Sequence, residues 1–120
     1  MNAKAQQILD FWFKETEPEK RFKKDVDFDQ LIKKKFLKDY EIASANDYDD
    51  WQDTPLECLA LVILFDQFSR NIFRDNKKAF EQDHKTRLIV NDAVYAGFLE
   101  DMDVHQRFFM ILPLIHSEEI

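Results

Sequence analysis

Apolar residues recur at three- and four-residue intervals along most of this chain, the spacing of one face of an α-helix. Over residues 3–13 the stripe is Ala5, Ile8, Leu9 and Trp12, and Pro18 marks the connection after it. A second helix is expected from Asp27, which with Gln30 resembles a capping box with Asp in the cap role. Its stripe runs through Phe28, Leu31, Ile32, Phe36, Tyr40 and Ala43. Lys35 and Asp39 share that stripe four residues apart and are expected to pair or to snorkel at its edge. The pattern fades into an acidic turn at residues 46–50.

The clearest helix start is Thr54-Pro55-Leu56-Glu57. Thr54 suits the cap, Pro55 the first helical position, and Glu57 completes a capping box. Apart from Glu57, residues 56–65 are apolar all the way round, which predicts a helix enclosed on several sides. A fourth helix is expected over residues 77–96, ended by Gly97 as the left-handed cap. A fifth begins at Asp103, with Gln106 three residues on, and Pro113 should kink it or end its regular part.

Five helices joined by short links predict an all-α fold of antiparallel helix pairs, with a closed bundle as the competing architecture. The second and fourth helix starts lie about 50 residues apart, not the roughly 34 of a tetratricopeptide unit, so no strict repeat is readable. The single glycine supports the helical reading, because tight hairpin turns lean on Gly. It also excludes Gly-rich phosphate loops. At 120 residues one domain is expected.

Charge changes the picture in two ways. The formal net charge of −7 argues against duplex nucleic acid as a partner, since such binding rests on neutralising phosphates. Yet eight of the 17 basic residues fall within residues 20–38, and residues 39–53 carry six acids and no base. Such a pair of patches reads first as solvated helix faces and second as a docking surface. The lone Cys58 lies in an apolar run and reads as a buried thiol. With no membrane-length apolar segment and no leader-like N-terminus, the cytoplasm is the expected location and no membrane partner is expected.

Candidate chemistry concentrates on the third helix. At 100° per residue, the face that holds Leu56, Leu59, Ala60 and Ile63 continues as Asp66, Gln67, Arg70, Asn71 and Arg74. The opposite face stays apolar through Leu61, Leu64, Phe65, Phe68 and Ile72. Either the polar face meets solvent, with Asp66 and Arg70 as an i,i+4 pair, or it forms a pocket wall on which two arginines four apart clasp a carboxylate or phosphate. His84, Arg87 and Asn91 fall on the stripe of the fourth helix and are expected to partner this cluster. The three histidines are scattered, so no metal or cofactor is expected, and no nucleophile has a sequence-evident base beside it.

These residues carry a resemblance. Leu9-Asp10-Phe11-Trp12-Phe13, Trp51 with Asp53-Thr54-Pro55, Leu64-Phe65-Asp66-Gln67-Phe68, Arg70-Asn71-Ile72-Phe73-Arg74, Leu112-Pro113-Leu114 and His116-Ser117-Glu118 resemble, in order, the bacterial domain of unknown function 924 family. The resemblance implies a tetratricopeptide-like helical superhelix without an established activity. Asp66, Gln67, Arg70, Asn71, Arg74, His116 and Glu118 match the family's polar motifs. Ser69 stands where the family usually shows proline, so the helix is expected to continue there. The chain stops where family members run on into a further helical part, which implies a fragment, a shortened relative or a truncated reading frame.

Three functions compete. The leading one is a non-enzymatic binding module whose polar groove grips a peptide terminus or small anionic molecule through Gln67, Arg70 and Arg74. A second is a small hydrolase- or transferase-like enzyme with Asp66 or Glu118 as general base and His116 as acid. In the third, the polar cluster only cements the helices. Ligand identity and self-association are open at this point.

Overall fold

The structure is a computed structural model that describes residues 1–116. Helical rods at residues 3–15, 26–44, 55–72, 83–95 and 104–115 account for most of them, and no strand occurs among the described residues. The chain is all-α, with five main rods as the apolar spacing predicts. No described helix is long and apolar enough to cross a membrane.

The first rod is α1 (Ala3–Asp10) followed by a π-helical turn (Phe11–Glu15). Asn2 caps it by accepting from the Lys4 and Ala5 N–H groups at 2.8 and 3.1 Å. The second is α2 (Val26–Ser44), and its cap is Asp25, not Asp27. Asp25 has extended backbone, accepts from the Phe28 N–H at 3.0 Å and takes the Asp29 N–H on its own carbonyl. Asp27 sits inside the first turn, where an acid still suits the helix dipole. The expected Lys35–Asp39 pairing is replaced as well. Lys35 lies 5.7 Å over the Phe11 ring, while buried Asp39 accepts from Tyr48 Oη at 2.8 Å and faces Lys4 Nζ at 3.6 Å.

The third rod is the centre of the molecule. It comprises α3 (Pro55–Val62), a π-helical segment (Ile63–Phe68) and α4 (Ser69–Ile72). Every residue from Cys58 to Ser69 is buried, as an all-round apolar helix requires. Phe68 meets Phe11, Trp12 and Phe36 at ring separations of 5.9, 5.7 and 4.7 Å, so truncating it to Ala would cost about 3–5 kcal/mol. Pro55 takes the first position and Thr54 the cap position, but the Thr54 side chain accepts no helix N–H. Its hydroxyl donates to Glu57 Oε1 at 2.7 Å, and Glu57 Oε2 accepts from the Asn2 N–H at 2.9 Å. That carboxylate ties the start of the central rod to the start of α1 instead of closing a capping box.

α2 runs antiparallel to this rod: Asp29 meets Asn71 and Arg74, Phe36 stacks on Phe68, and Tyr40 faces Phe65. The expected fourth helix is split. A 3-10 turn (Lys77–Phe80), capped by Asn76, precedes α5 (Asp83–Tyr95). α5 also opposes the central rod, since Asp83 reaches Arg70 and Lys85 lies over Phe65. Gly97 ends the segment at φ 82°, with its N–H on the Val94 carbonyl. In α6 (Val104–Ile115) the Asp103–Gln106 capping box forms in both directions. The helix ends two residues after buried Pro113, with the His116 N–H on the Leu112 carbonyl.

Candidate functional site

The polar cluster begins where the central rod widens. A π-turn bonds i to i+5 and leaves carbonyls out of register, a device found often at functional sites. Side chains take these carbonyls. Ser69 Oγ donates to Phe65 O and lies 3.2 Å from Asp66 O, and Arg70 Nη1 donates to Asp66 O at 2.8 Å. The helix therefore continues through Ser69 to Ile72, as the serine predicts.

Asp66 is 1% exposed. Its Oδ2 accepts from Gln67 Nε2 at 2.9 Å and faces His116 Nε2 at 3.0 Å. Its Oδ1 lies 3.2 Å from Arg70 Nη1, yet has no hydrogen-bond donor among the described residues. The Nη1 hydrogens are directed at Asp66 O and Asp83 Oδ1, so the Oδ1 contact is an ion pair without hydrogen-bond alignment. Arg70 forks onto Asp83 at 3.2 and 3.1 Å and stacks 5.0 Å from the Phe80 ring centre. The hydrogen bond between His116 and Asp66, reinforced by the carboxylate's charge, raises the pKa of His116; burial and the nearby Arg70 cation oppose that rise less strongly.

A second cluster lies further along. Buried Asp29 accepts from Asn71 Nδ2 and Arg74 Nη2, each at 2.9 Å, and from Arg74 Nε. Arg70 and Arg74 thus do not close on one anion: each forks onto its own carboxylate, from α5 and α2 respectively. The reason is local. The helix stops at Ile72, Phe73 leaves it at φ −116° and ψ 38°, and Arg74 departs from the phase that places Arg70. Sequence reasoning missed both acceptors. Asp29 carried a readable signal, an acid on the buried stripe that includes Ile32, Phe36 and Tyr40. Asp83, in the first turn of α5, offered none.

Arg70, Phe80, Glu81, Asp83, His84, Arg87 and His116 line a concavity of about 480 Å³. His84 and Arg87 thus share a hollow with the central cluster, as the stripe on the fourth helix suggests, whereas Asn91 is exposed. A neighbouring hollow is lined by Arg70, Arg74, Asn76 and Lys77 among others. Glu118 lies outside the described residues. Among those described, no group of three or more His, Cys, Asp or Glu side chains is placed to hold a metal ion.

Residues 8–120 match the family described as bacterial protein of unknown function, DUF924. The chain belongs to this family. A solved structure of a protein of unknown function from Agrobacterium tumefaciens superposes on it with a TM-score of 0.91 at 33% sequence identity, over 98% of this chain. The match spans 66% of the length of that protein. No curated protein matches the chain. Of the polar residues singled out in the sequence, Asp66, Gln67, Arg70 and His116 come together around one buried carboxylate, and Asn71 and Arg74 around another.

Proposed function

We propose that this DUF924 member is a cytoplasmic binding module of antiparallel, tetratricopeptide-like helix pairs. Its ligand is a small anionic molecule or a peptide carboxylate, seated in the concavity beside Arg70 and His116. One observation carries this reading: in a chain of net charge −7, four cation-capable side chains, Arg70, His84, Arg87 and His116, border a single hollow against two acids, Glu81 and Asp83. The hollow falls within the roughly 300–1,000 Å³ range of small-ligand pockets.

Each residue has a part in this reading. Asp66 keeps His116 protonated and oriented, Gln67 steadies Asp66, and Asp83 fixes the Arg70 fork. Asn71 and Arg74 act through Asp29 and hold the end of the central rod. Duplex nucleic acid stands outside the ligand class because a net charge of −7 repels its polyanionic backbone. Calorimetric titration with inorganic phosphate and citrate tests the proposal. Binding should be tighter near pH 6 than near pH 8, because His116 carries more charge at the lower pH. Arg87→Ala should weaken it by about tenfold, the loss of one charge-assisted contact. Absence of binding by either anion at both pH values removes the reading.

The Asp66–His116 contact gives a second reading independent support. A buried carboxylate on one imidazole nitrogen is how a general acid–base histidine is oriented. Hydrolysis of a simple aryl ester that disappears in His116→Asn and falls in Asp66→Asn would favour catalysis over binding alone.

A further inference from the structure

On the 3-10 turn Pro18–Phe22, Arg21 differs from the arginines of the central cluster in having no carboxylate partner among the described residues. Its Nε and Nη2 donate to the Trp12 carbonyl at 3.1 and 2.9 Å, and Nη2 also to the Phe13 carbonyl at 3.3 Å. These carbonyls belong to the π-turn that ends the first rod, so the guanidinium both closes that turn and is held rigid by it. A guanidinium carries five N–H donors. Three are engaged by these carbonyls, and the two on Nη1 meet no acceptor among the described residues. The cation lies 5.9, 5.7 and 5.8 Å from the rings of Trp12, Phe13 and Phe109. Burial lowers its pKa, the cost of partly enclosing the charge.

Beside Arg21 opens a hollow of about 470 Å³, separate in its lining from the one at His116. Its walls are Phe13, Phe22, Phe108 and Phe109, with His105 and Asp103 also in the lining. Phe22 is 68% exposed and Phe108 43%, although both rings pack edge or face against neighbours. Large open rings around an oriented cation that has no carboxylate partner among the described residues are the mark of a binding surface. Asp103 is committed to its helix cap and adds negative charge at the rim. One cation with an acid nearby suits a monoanion, not a dianionic phosphate, and the aromatic walls suit an apolar body.

We infer that this hollow is a binding site for a small apolar carboxylate, with its carboxylate on Arg21 Nη1 and its ring or branched chain among Phe13, Phe22 and Phe108. The site is independent of the one at Arg70 and His116.

Phenylacetate and its neutral counterpart benzyl alcohol are the probes, titrated calorimetrically and by NMR of the histidine side chains. Phenylacetate should saturate the protein and bind at least about tenfold more tightly than benzyl alcohol, the worth of a charge-assisted contact. His105 signals should move while those of His84 and His116 stay. Phe22→Ala should weaken phenylacetate severalfold with unchanged circular dichroism, since that ring is mostly exposed. The comparison of the two probes uses the unaltered chain and does not depend on Arg21 variants folding. Equal affinity for both probes, movement at His84 or His116 instead of His105, or no saturation by about 10 mM phenylacetate would each overturn the assignment.

Discussion

Asp66 Oδ2 and His116 Nε2 meet at 3.0 Å across 50 residues of sequence, joining the buried middle of the central rod to the end of α6. Because the His116 pKa is raised above its ordinary 6.5, the folded state binds its proton more tightly than the unfolded chain does. The stabilisation is therefore complete below about pH 6.5 and is lost as pH rises through the folded-state value. The difference in melting temperature between the natural chain and His116→Asn should be largest near pH 6 and shrink towards about pH 9. In an NMR titration, Asp66→Asn should bring the His116 midpoint back towards the ordinary value. A difference that stays flat with pH would mean that the contact carries no charge.

Replacing Arg70 should be expensive. Its side chain is 25% exposed, and its removal leaves Asp83 without its fork and buried Asp66 without its neighbouring cation. Breaking a buried pair from one side costs about 3 kcal/mol or more, whereas a solvent-facing arginine costs no more than about 0.5 kcal/mol. Urea unfolding of Arg70→Ala separates the two cases. Arg70→Lys should fall between, since it keeps the charge but not the planar fork.

The Asp29 cluster calls for a double-mutant cycle. Asp29→Ala strands Arg74 and Asn71, and Arg74→Ala strands Asp29, so each alone should destabilise by roughly 2–4 kcal/mol. The double mutant should be much less destabilised than the sum, with a coupling of at least about 1 kcal/mol. Additive effects would show that the fork contributes nothing as a pair.

Cys58 should be chemically silent in the folded chain. It is 1% exposed, and burial pushes its thiol pKa up to about 12. The thiolate is the reactive form. Iodoacetamide near pH 8 should label the urea-unfolded protein within minutes and leave the native protein essentially unmodified over the same period. Fast labelling under native conditions would reveal opening of the central rod.

Much of the architecture was written in local patterns. The stripes through Trp12, Phe36 and Phe68, the enclosed run, Gly97 and the Asp103–Gln106 box all depend on neighbours within a helical turn or two. The structure agrees except that Leu31 is exposed at the edge of its stripe and the enclosed run begins at Cys58, after partly buried Leu56 and Glu57. Local errors came from competition among nearby candidates. Asp25 and Asp27 both suit a cap, and only the extended backbone at Asp25 selects it. Thr54 and Glu57 fit a capping box, but Glu57 is drawn to the Asn2 N–H, 55 residues away.

The site divides along the same line. Sequence by itself placed Asp66, Gln67, Arg70, Asn71 and Arg74 on one face of the third helix and left open whether that face meets solvent or, if enclosed, finds the partners that buried amides and charges need. Only the tertiary structure decided which partners. The π-turn and the helix end at Ile72 rotate Arg74 away from Arg70, and α2 and α5 bring Asp29 and Asp83 to them. The Arg21 cation was placed the same way, by a turn whose carbonyls face it only after folding. Helix periodicity sets which face a residue occupies. Which charge stands opposite is fixed by the packing of helices far apart in the chain, and no local spacing encodes it.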